Sequence, residues 1–358
     1  SYMEQPRGFM VQWHITDICN LQCTHCYRHE YYEDLPLDKI KFIADNVIHG
    51  LETLNVAPYF ALSGGEPFLR RDLFTIIEYL YEKGVTSIGF ETNGTCITPH
   101  IHNLNTHSPP ITGIQVSLDG GPDINDEIRG KGAFEKAVQG LETIISDTNL
   151  KTTISYTFHS QNKDDIPFII ELGDHMGVDI LYFTRLVPIG RGKENTLLTP
   201  QETKKILTYL HQKNKEFEKS RKNGMKKPFI AENRSLFHLV DEDEAIRRYS
   251  TRKNRLGNGC AIGTSTFTIL SDGFALPCRR LPIPLGNLLN TSFLDIWFKN
   301  DLLWDFRRRD SLLKGKCQNC KFLSYRGLCD GGAACVTYGC YNDYNYPDPQ
   351  CWHQEEDT

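Results

Sequence analysis

Apolar positions between residues 10 and 195 switch repeatedly between two periods. Met10–Thr16 reads as a strand, whereas Asp38–Leu54 carries Ile40, Phe42, Ile43, Val47 and Ile48 at helical spacing. The pattern continues with a strand at Tyr59–Leu62, a helix at Leu73–Lys83, a strand at Ser87–Glu91 and a short helix near 99–105. It then predicts a strand at Ile114–Leu118, a helix at Ala133–Ile145, a strand at Thr152–Phe158, a helix at Ile166–Met176 and a sixth strand at Ile180–Phe183. Helices alternating with strands across short connections imply a parallel sheet with covering helices. Right-handed crossovers curl such a sheet into a barrel or a doubly wound layer, and periodicity does not choose between them.

The pattern changes after residue 197. Thr199 fits an N-cap, Pro200 the first helical position and Glu202 the capping-box partner of a helix running to about Lys219. The charge run Lys213–Lys227 reads as a solvated helix face and loop. A boundary is expected between about 220 and 255, giving three spans: 1–197, a helical connector at 198–255, and 256–358. The last span is short of helix signals. It holds a predicted hairpin, Thr266–Leu270 and Phe274–Pro277, turning at Ser271-Asp272-Gly273.

Composition narrows the class. Of 358 residues, 39% are apolar and 24% charged, as in a globular protein, and the net charge of −5 argues against a general nucleic-acid binder. No run approaches the roughly 18 apolar residues of a membrane span, and the first residues lack a secretory apolar stretch. Twelve cysteines fall at the two ends of the chain: three at 19–26, one at 96 and eight at 260–351. In a chain this long, without a secretory signal, that usage points to metal or redox chemistry rather than disulfides.

Cys19, Cys23 and Cys26 form C-x3-C-x2-C just after the first strand. Three thiolates on one loop can wrap one face of a cubane iron–sulfur cluster and leave the fourth iron open to a small molecule. A zinc site completed by His14, His25 or His29 is the alternative. In α/β barrels sites form in the loops after the strands, where the cysteine loop lies. The next strands end likewise in small polar residues: Ser63-Gly64-Gly65-Glu66-Pro67, Thr92-Asn93-Gly94 and Ser117-Leu118-Asp119-Gly120. Four such loops in sequence imply a pocket. The paired glycines permit close backbone approach to a ligand, and Glu66 can accept from an ammonium group.

This ordered set resembles the radical S-adenosylmethionine (SAM) superfamily over most of the chain: CNLQCTHCY at 19–27, SGGEP at 63–67, ETNGT at 91–95, VSLDG at 116–120, IRGKGAF at 128–134 and RLVPIGRG at 185–192. The resemblance implies an α/β fold, a partial (β/α)6 TIM-like barrel. It implies that Cys19, Cys23 and Cys26 are catalytic ligands of a 4Fe–4S cluster whose fourth iron is chelated by SAM. Ser63, Gly64, Gly65 and Glu66, with Thr92 and Asn93, are then expected around the SAM amino end. Ser117, Asp119 and Arg129 belong on the ribose or carboxylate side, and His25, Tyr27, Leu186 and Val187 around the adenine. The implied reaction is reductive cleavage of SAM to a 5′-deoxyadenosyl radical that abstracts hydrogen from a substrate.

The C-terminal cysteines resemble the SPASM extension of peptide-modifying members, a loop-rich domain with two auxiliary 4Fe–4S clusters, making three clusters in all. Carried over, Cys260, Cys278 and Cys335 bind the first auxiliary cluster, and Cys317, Cys320, Cys329 and Cys351 the second. Cys340 is an extra thiol: a further ligand of the first auxiliary cluster, a hydrogen or sulfur donor, or a structural cysteine. Cys96 is expected to be structural. Sulfatase-maturating members carry an aspartate after the hairpin cysteine. Here Cys278 is followed by Arg279-Arg280, which argues against formylglycine formation and suggests either binding of acidic substrate groups or packing at the hairpin end. The first expectation is therefore thioether or carbon–carbon cross-linking of a ribosomally made peptide. The second is small-molecule oxidation such as tetrapyrrole side-chain decarboxylation. An iron–sulfur electron carrier or zinc-stabilised binding module is the non-enzymatic alternative. Cys19 stands close to the first residue, so a separate leader-binding protein, or direct binding by the C-terminal domain, is expected. Oxygen-sensitive clusters imply a cytoplasmic protein served by a flavodoxin or ferredoxin.

Overall fold

In the computed structural model, residues 8–28, 33–232, 236–241, 243, 260–324 and 329–353 are described. Seven parallel strands lie side by side in chain order: β1 (Gly8–Thr16), β2 (Ala57–Gly64), β3 (Ile88–Thr92), β4 (Ile111–Ser117), β5 (Lys151–Phe158), β6 (Ile180–Arg185) and β7 (Phe229–Glu232). The six expected strands are all present, most of them a few residues longer than the pattern predicted. The linking helices are α1 (Leu37–Thr53), α2 (Leu73–Glu82), α3 (Ile101–Thr106), α4 (Pro122–Arg129), α5 (Ala133–Asp147), α6 (Ile166–Met176) and α7 (Pro200–Lys222). The result is the parallel α/β sheet of a partial barrel with a cysteine-rich C-terminal region. All parallel strands end on one side, so Thr16, Gly64, Thr92, Ser117 and Arg185 share one rim.

Local chemistry explains the elements. α1 buries Ile40, Ile43, Ala44, Val47, Ile48 and Leu51, one stripe at three- and four-residue steps. Phe42 sits off that stripe and is exposed, contrary to the sequence pattern. α7 begins as expected: Thr199 accepts from the Glu202 amide, and Glu202 accepts from the Thr199 amide. β1 is buried on both faces. Phe9, Val11, Trp13 and Ile15 enter the core, while Gln12, His14 and Thr16 line the other side.

The C-terminal region is built onto the barrel. β8 (Thr266–Ile269) pairs in parallel with β1, then turns as the predicted hairpin into β9 (Phe274–Leu276), whose other edge holds β10 (Gly286–Asn287). Helix Phe293–Lys299, capped by Ser292, and helix Asp301–Arg307, capped by Asn300, correct the expectation of few helices there. Phe293 and Trp297 stack and meet Phe9 and Phe267 edge-on, so one hydrophobic core spans both parts. Burying each such ring contributes about 1.5–3 kcal/mol. The span expected as a helical connector also supplies a strand, β7, paired with β6. Most of the expected boundary beyond residue 232 lies outside the described residues. Among the described residues no helix is long and apolar enough to cross a membrane.

Candidate active site

The loop after β1 carries Cys19, Cys23 and Cys26 and is held from four sides. The Thr24 amide donates to Ile128 O at the end of α4, 2.8 Å away, and the Arg191 amide donates to Cys26 O at 2.9 Å. Asn20 bonds Thr95 Oγ1 at 2.8 Å and accepts from Asn93 Nδ2 at 2.9 Å. Amides of Gly65 and Glu66 donate to Thr16 O and Ile18 O at 2.9 and 2.7 Å. The last contact explains the paired glycines. A Cβ at Gly64 would lie 2.1 Å from Thr16 O, and one at Gly65 would lie 2.1 Å from Ile18 O. The close approach these glycines permit is to the cysteine loop's own backbone, besides any ligand.

The three thiols converge. Burial pushes the Cys19 thiol up to about 11, with Cys23 and Cys26 adding repulsion, and burial raises Cys23 as well. Deprotonating such thiols requires a positive centre beside them, which is what iron supplies to its thiolate ligands. Among the described residues no group of three or more His, Cys, Asp or Glu closes around a single ion. Cubane ligands each bond a different iron and do not share one, so such a cluster makes no such demand.

Behind the loop lies a charged support. Asp119 is fully buried. Its Oδ2 pairs with Arg129 at 2.5 Å and His25 Nε2 at 2.8 Å, and its Oδ1 accepts from the Thr157 amide at 2.8 Å. Burial alone would push this carboxyl up, but Arg129 and His25 outweigh it and hold it well below the usual range. Arg129 also reaches Cys23 Sγ at 3.9 Å. Glu66 is another buried carboxylate. It accepts from Thr92 Oγ1 at 2.7 Å, the Asn93 amide at 2.8 Å and the Phe68 amide at 3.3 Å. Neither Asp119 nor Glu66 borders the cavity; both position residues that do. Cys19, Cys23, His25, Cys26, Tyr27, Ser63, Gly64, Gly65, Thr92, Asn93, Ser117, Arg129, Leu186 and Val187 all line it. Ser63 Oγ and His25 Nδ1 are buried there without a partner among the described residues, as expected of groups awaiting a polar ligand.

Comparison with known proteins now decides the class. The profile of the Radical SAM superfamily matches residues 13–173, and that of SPASM, an iron–sulfur cluster-binding domain, matches residues 260–321. This is a radical SAM enzyme with a SPASM domain. Among its relatives, an AdoMet-dependent heme synthase of Methanosarcina barkeri is 28% identical over 346 residues, covering 96% of this chain and 95% of that protein. The mycofactocin maturase MftC of Mycolicibacterium smegmatis is 26% identical, covering 95% and 82%. In fold the enzyme is similar to Streptococcus suis SuiB bound to S-adenosylmethionine, with a TM-score of 0.73 and 17% identity over 97% of this chain and 78% of that one.

The SPASM cysteines of the radical SAM enzyme fall into two groups, and all twelve cysteines of the chain are unbridged. Cys260, Cys278 and Cys335 lie near enough for their thiolates to repel one another, and so do Cys317, Cys320 and Cys351, with Cys329 beside Cys351. Burial pushes Cys278 and Cys317 up to about 11. Cys340 is exposed on helix Ala334–Tyr341. Cys96 is half-buried beside Thr95, packed against the core. The SPASM domain is latched to the rim by Arg185 at the end of β6, which grips buried Asp348 through two bonds of 3.0 and 2.7 Å. Sequence reasoning did not assign Gln115, Ser155, Thr157 or Thr184, which line the cavity from β4, β5 and β6. Their signal was a polar residue alternating with apolar ones near a strand's C-terminal end.

Proposed function

We propose that this enzyme abstracts hydrogen from a small, carboxylate-bearing substrate of the tetrapyrrole kind. One observation carries the reading: six arginines line the cavity (Arg28, Arg129, Arg185, Arg191, Arg279 and Arg280), more than the four carboxylates, Asp17, Asp119, Asp348 and Glu91, that pair with four of them. Such a wall favours an anion. The end-to-end likeness to a heme synthase supports the same choice. The order differs from the sequence-based expectation, which put a peptide first. SuiB, similar in fold, is also known bound to a precursor peptide, SuiA, which makes a peptide the second reading, and an acidic peptide would also suit the arginines.

In this account Cys19, Cys23 and Cys26 hold the cluster that binds SAM. Cys260, Cys278 and Cys335 hold one auxiliary cluster, and Cys317, Cys320, Cys329 and Cys351 the other. Cluster and SAM together supply, when bound, the carbon radical that removes a substrate hydrogen. The chain's own residues bind, orient and shield. Ser63 Oγ and the backbone of Gly64–Gly65 face the SAM amino acid end. His25 Nδ1 offers a polar contact to the adenine side, with Asp119 holding the ring's other nitrogen. Leu186 and Val187 exclude water. Burial, then Arg28 and Arg279, lower His14 well below its usual range, so it stays neutral; Tyr27 Oη lies 3.1 Å from its Nε2. The test is incubation of reduced, SAM-supplied enzyme with a propionate-bearing porphyrin, followed by mass spectrometry. Loss of carboxyl groups with stoichiometric 5′-deoxyadenosine supports the reading. An unaltered porphyrin, with a modified peptide in a parallel incubation, overturns it.

A further inference from the structure

Four of the arginines around the cavity are already matched by carboxylates. Arg28 pairs with Asp17, Arg129 with Asp119, Arg185 with Asp348 and Arg279 with Glu91. Arg280 differs. It donates to two hydroxyl groups of β6, Thr184 Oγ1 at 2.5 Å and Tyr182 Oη at 3.5 Å. A guanidinium presents five N–H donors in a planar fork, so these two bonds fix its plane and leave donors unspent. Removing a cation from water is costly unless an anion meets it; Tyr182, Cys335 and Cys278 favour the charge of Arg280, but among the described residues no carboxylate pairs with it.

Its place adds meaning. Arg280 stands two residues after Cys278 and close to both Cys278 and Cys335, yet it lines the same cavity as the cysteine loop after β1. It therefore stands on the wall between the first group of SPASM cysteines and the space in front of Cys19, Cys23 and Cys26. Its neighbour Arg279 is neutralised by Glu91, so the Arg279–Arg280–Glu91 trio carries one net positive charge.

We propose that Arg280 is a substrate-binding residue that clamps one carboxylate group of the substrate, with Thr184 and Tyr182 holding the guanidinium fork in register. The inference rests on the reading of this cavity as the place of hydrogen abstraction from an anionic molecule. It goes further in naming the anchoring group and the wall against which the substrate lies. A carboxylate matches the fork bidentately, which fixes orientation as well as affinity.

The test uses the full chain reconstituted with iron and sulfide, as wild type, Arg280→Gln and Arg280→Lys. Each is titrated calorimetrically with coproporphyrin III, its tetramethyl ester and a tetraglutamate peptide, without turnover. Iron content checks that each variant is loaded. An acid probe should bind wild type, and Arg280→Gln should weaken it about tenfold or more. Arg280→Lys, which keeps the charge but not the fork, should recover part of that loss, and the ester should be indifferent to both substitutions. Arg280-dependent binding of the peptide, with no porphyrin binding, upholds the clamp and overturns the tetrapyrrole reading. Equal affinity of wild type and Arg280→Gln for the acids overturns the clamp. So does equal weakening of ester and acid, and so does failure of both acids to bind wild type. If Arg280→Gln does not hold iron, unchanged affinity in Arg280→Lys overturns it.

Discussion

Asp119→Asn tests whether the charged support behind the cysteine loop is what holds that loop in place. The carboxylate is fully buried and shares Oδ2 between Arg129 at 2.5 Å and His25 at 2.8 Å. Asparagine keeps the volume and can still accept from the Thr157 amide, but it leaves the Arg129 guanidinium, only 10% exposed, without its counter-charge. Breaking a buried pair from one side costs about 3–5 kcal/mol. The retained amide bond and Arg129's residual access to water put the expectation near the lower end, about 3 kcal/mol. Urea unfolding of the metal-free protein at neutral pH measures it. The pH dependence supplies a second check. The folded carboxyl titrates below its unfolded value, so its stabilisation is complete above the ordinary carboxylate range and is lost as pH falls through and below it. The carboxylate's share of the gap between wild type and variant should thus be present at neutral pH and close below about pH 4. A double change, Asp119→Asn with Arg129→Gln, should cost less than the two single changes added together. A loss under about 1 kcal/mol for Asp119→Asn, or simple additivity in the double variant, would refute the reasoning.

Three further outcomes are expected. Burial pushes the Glu66 carboxyl up to about 7, against the pull of bonds from Thr92, Asn93 and Phe68. The folded state therefore keeps a proton that the unfolded chain releases. This group makes stability fall as pH rises from about 4.5 to about 7, and Glu66→Gln should erase that slope in a series of unfolding curves. Gly65→Ala would press a Cβ onto Ile18 O, so unfolding should show a loss of about 1–3 kcal/mol and reconstitution less iron on the first cluster. Cys340→Ser should leave iron content unchanged, because that thiol is exposed; a fall in iron would make it a ligand.

The fold was legible wherever local pattern and burial agree. β1 to β6 and the capping box at Thr199–Glu202 follow from alternation and cap chemistry alone. α4 escaped notice because it is short and polar, burying only Asn125 and Ile128, although Pro122 at its first turn was a start signal. β7 is four residues long, and its partner β6 is far away in sequence, so pairing rather than propensity makes it a strand. The parallel register of β8 on β1 is likewise a tertiary fact, some 250 residues apart in sequence (Met10 opposite Thr266). In the site, the cysteine groups could be read from spacing and resemblance. The burden carried by Gly64 and Gly65 could not, since it depends on carbonyls of another loop. Nor could the distinction between Arg279 and Arg280, adjacent residues of one type that meet a carboxylate and two hydroxyls respectively.

The central claim is that the loop after β1 holds a cluster that cleaves SAM while two SPASM groups hold two more. The most direct measurement is iron and sulfide content of anaerobically reconstituted protein, with 5′-deoxyadenosine assayed after dithionite reduction in the presence of SAM. The account predicts about twelve irons per chain and deoxyadenosine formation that vanishes in Cys19→Ala, Cys23→Ala or Cys26→Ala. Zinc in place of iron with SAM left intact, or deoxyadenosine formation surviving any of those three substitutions, would contradict it.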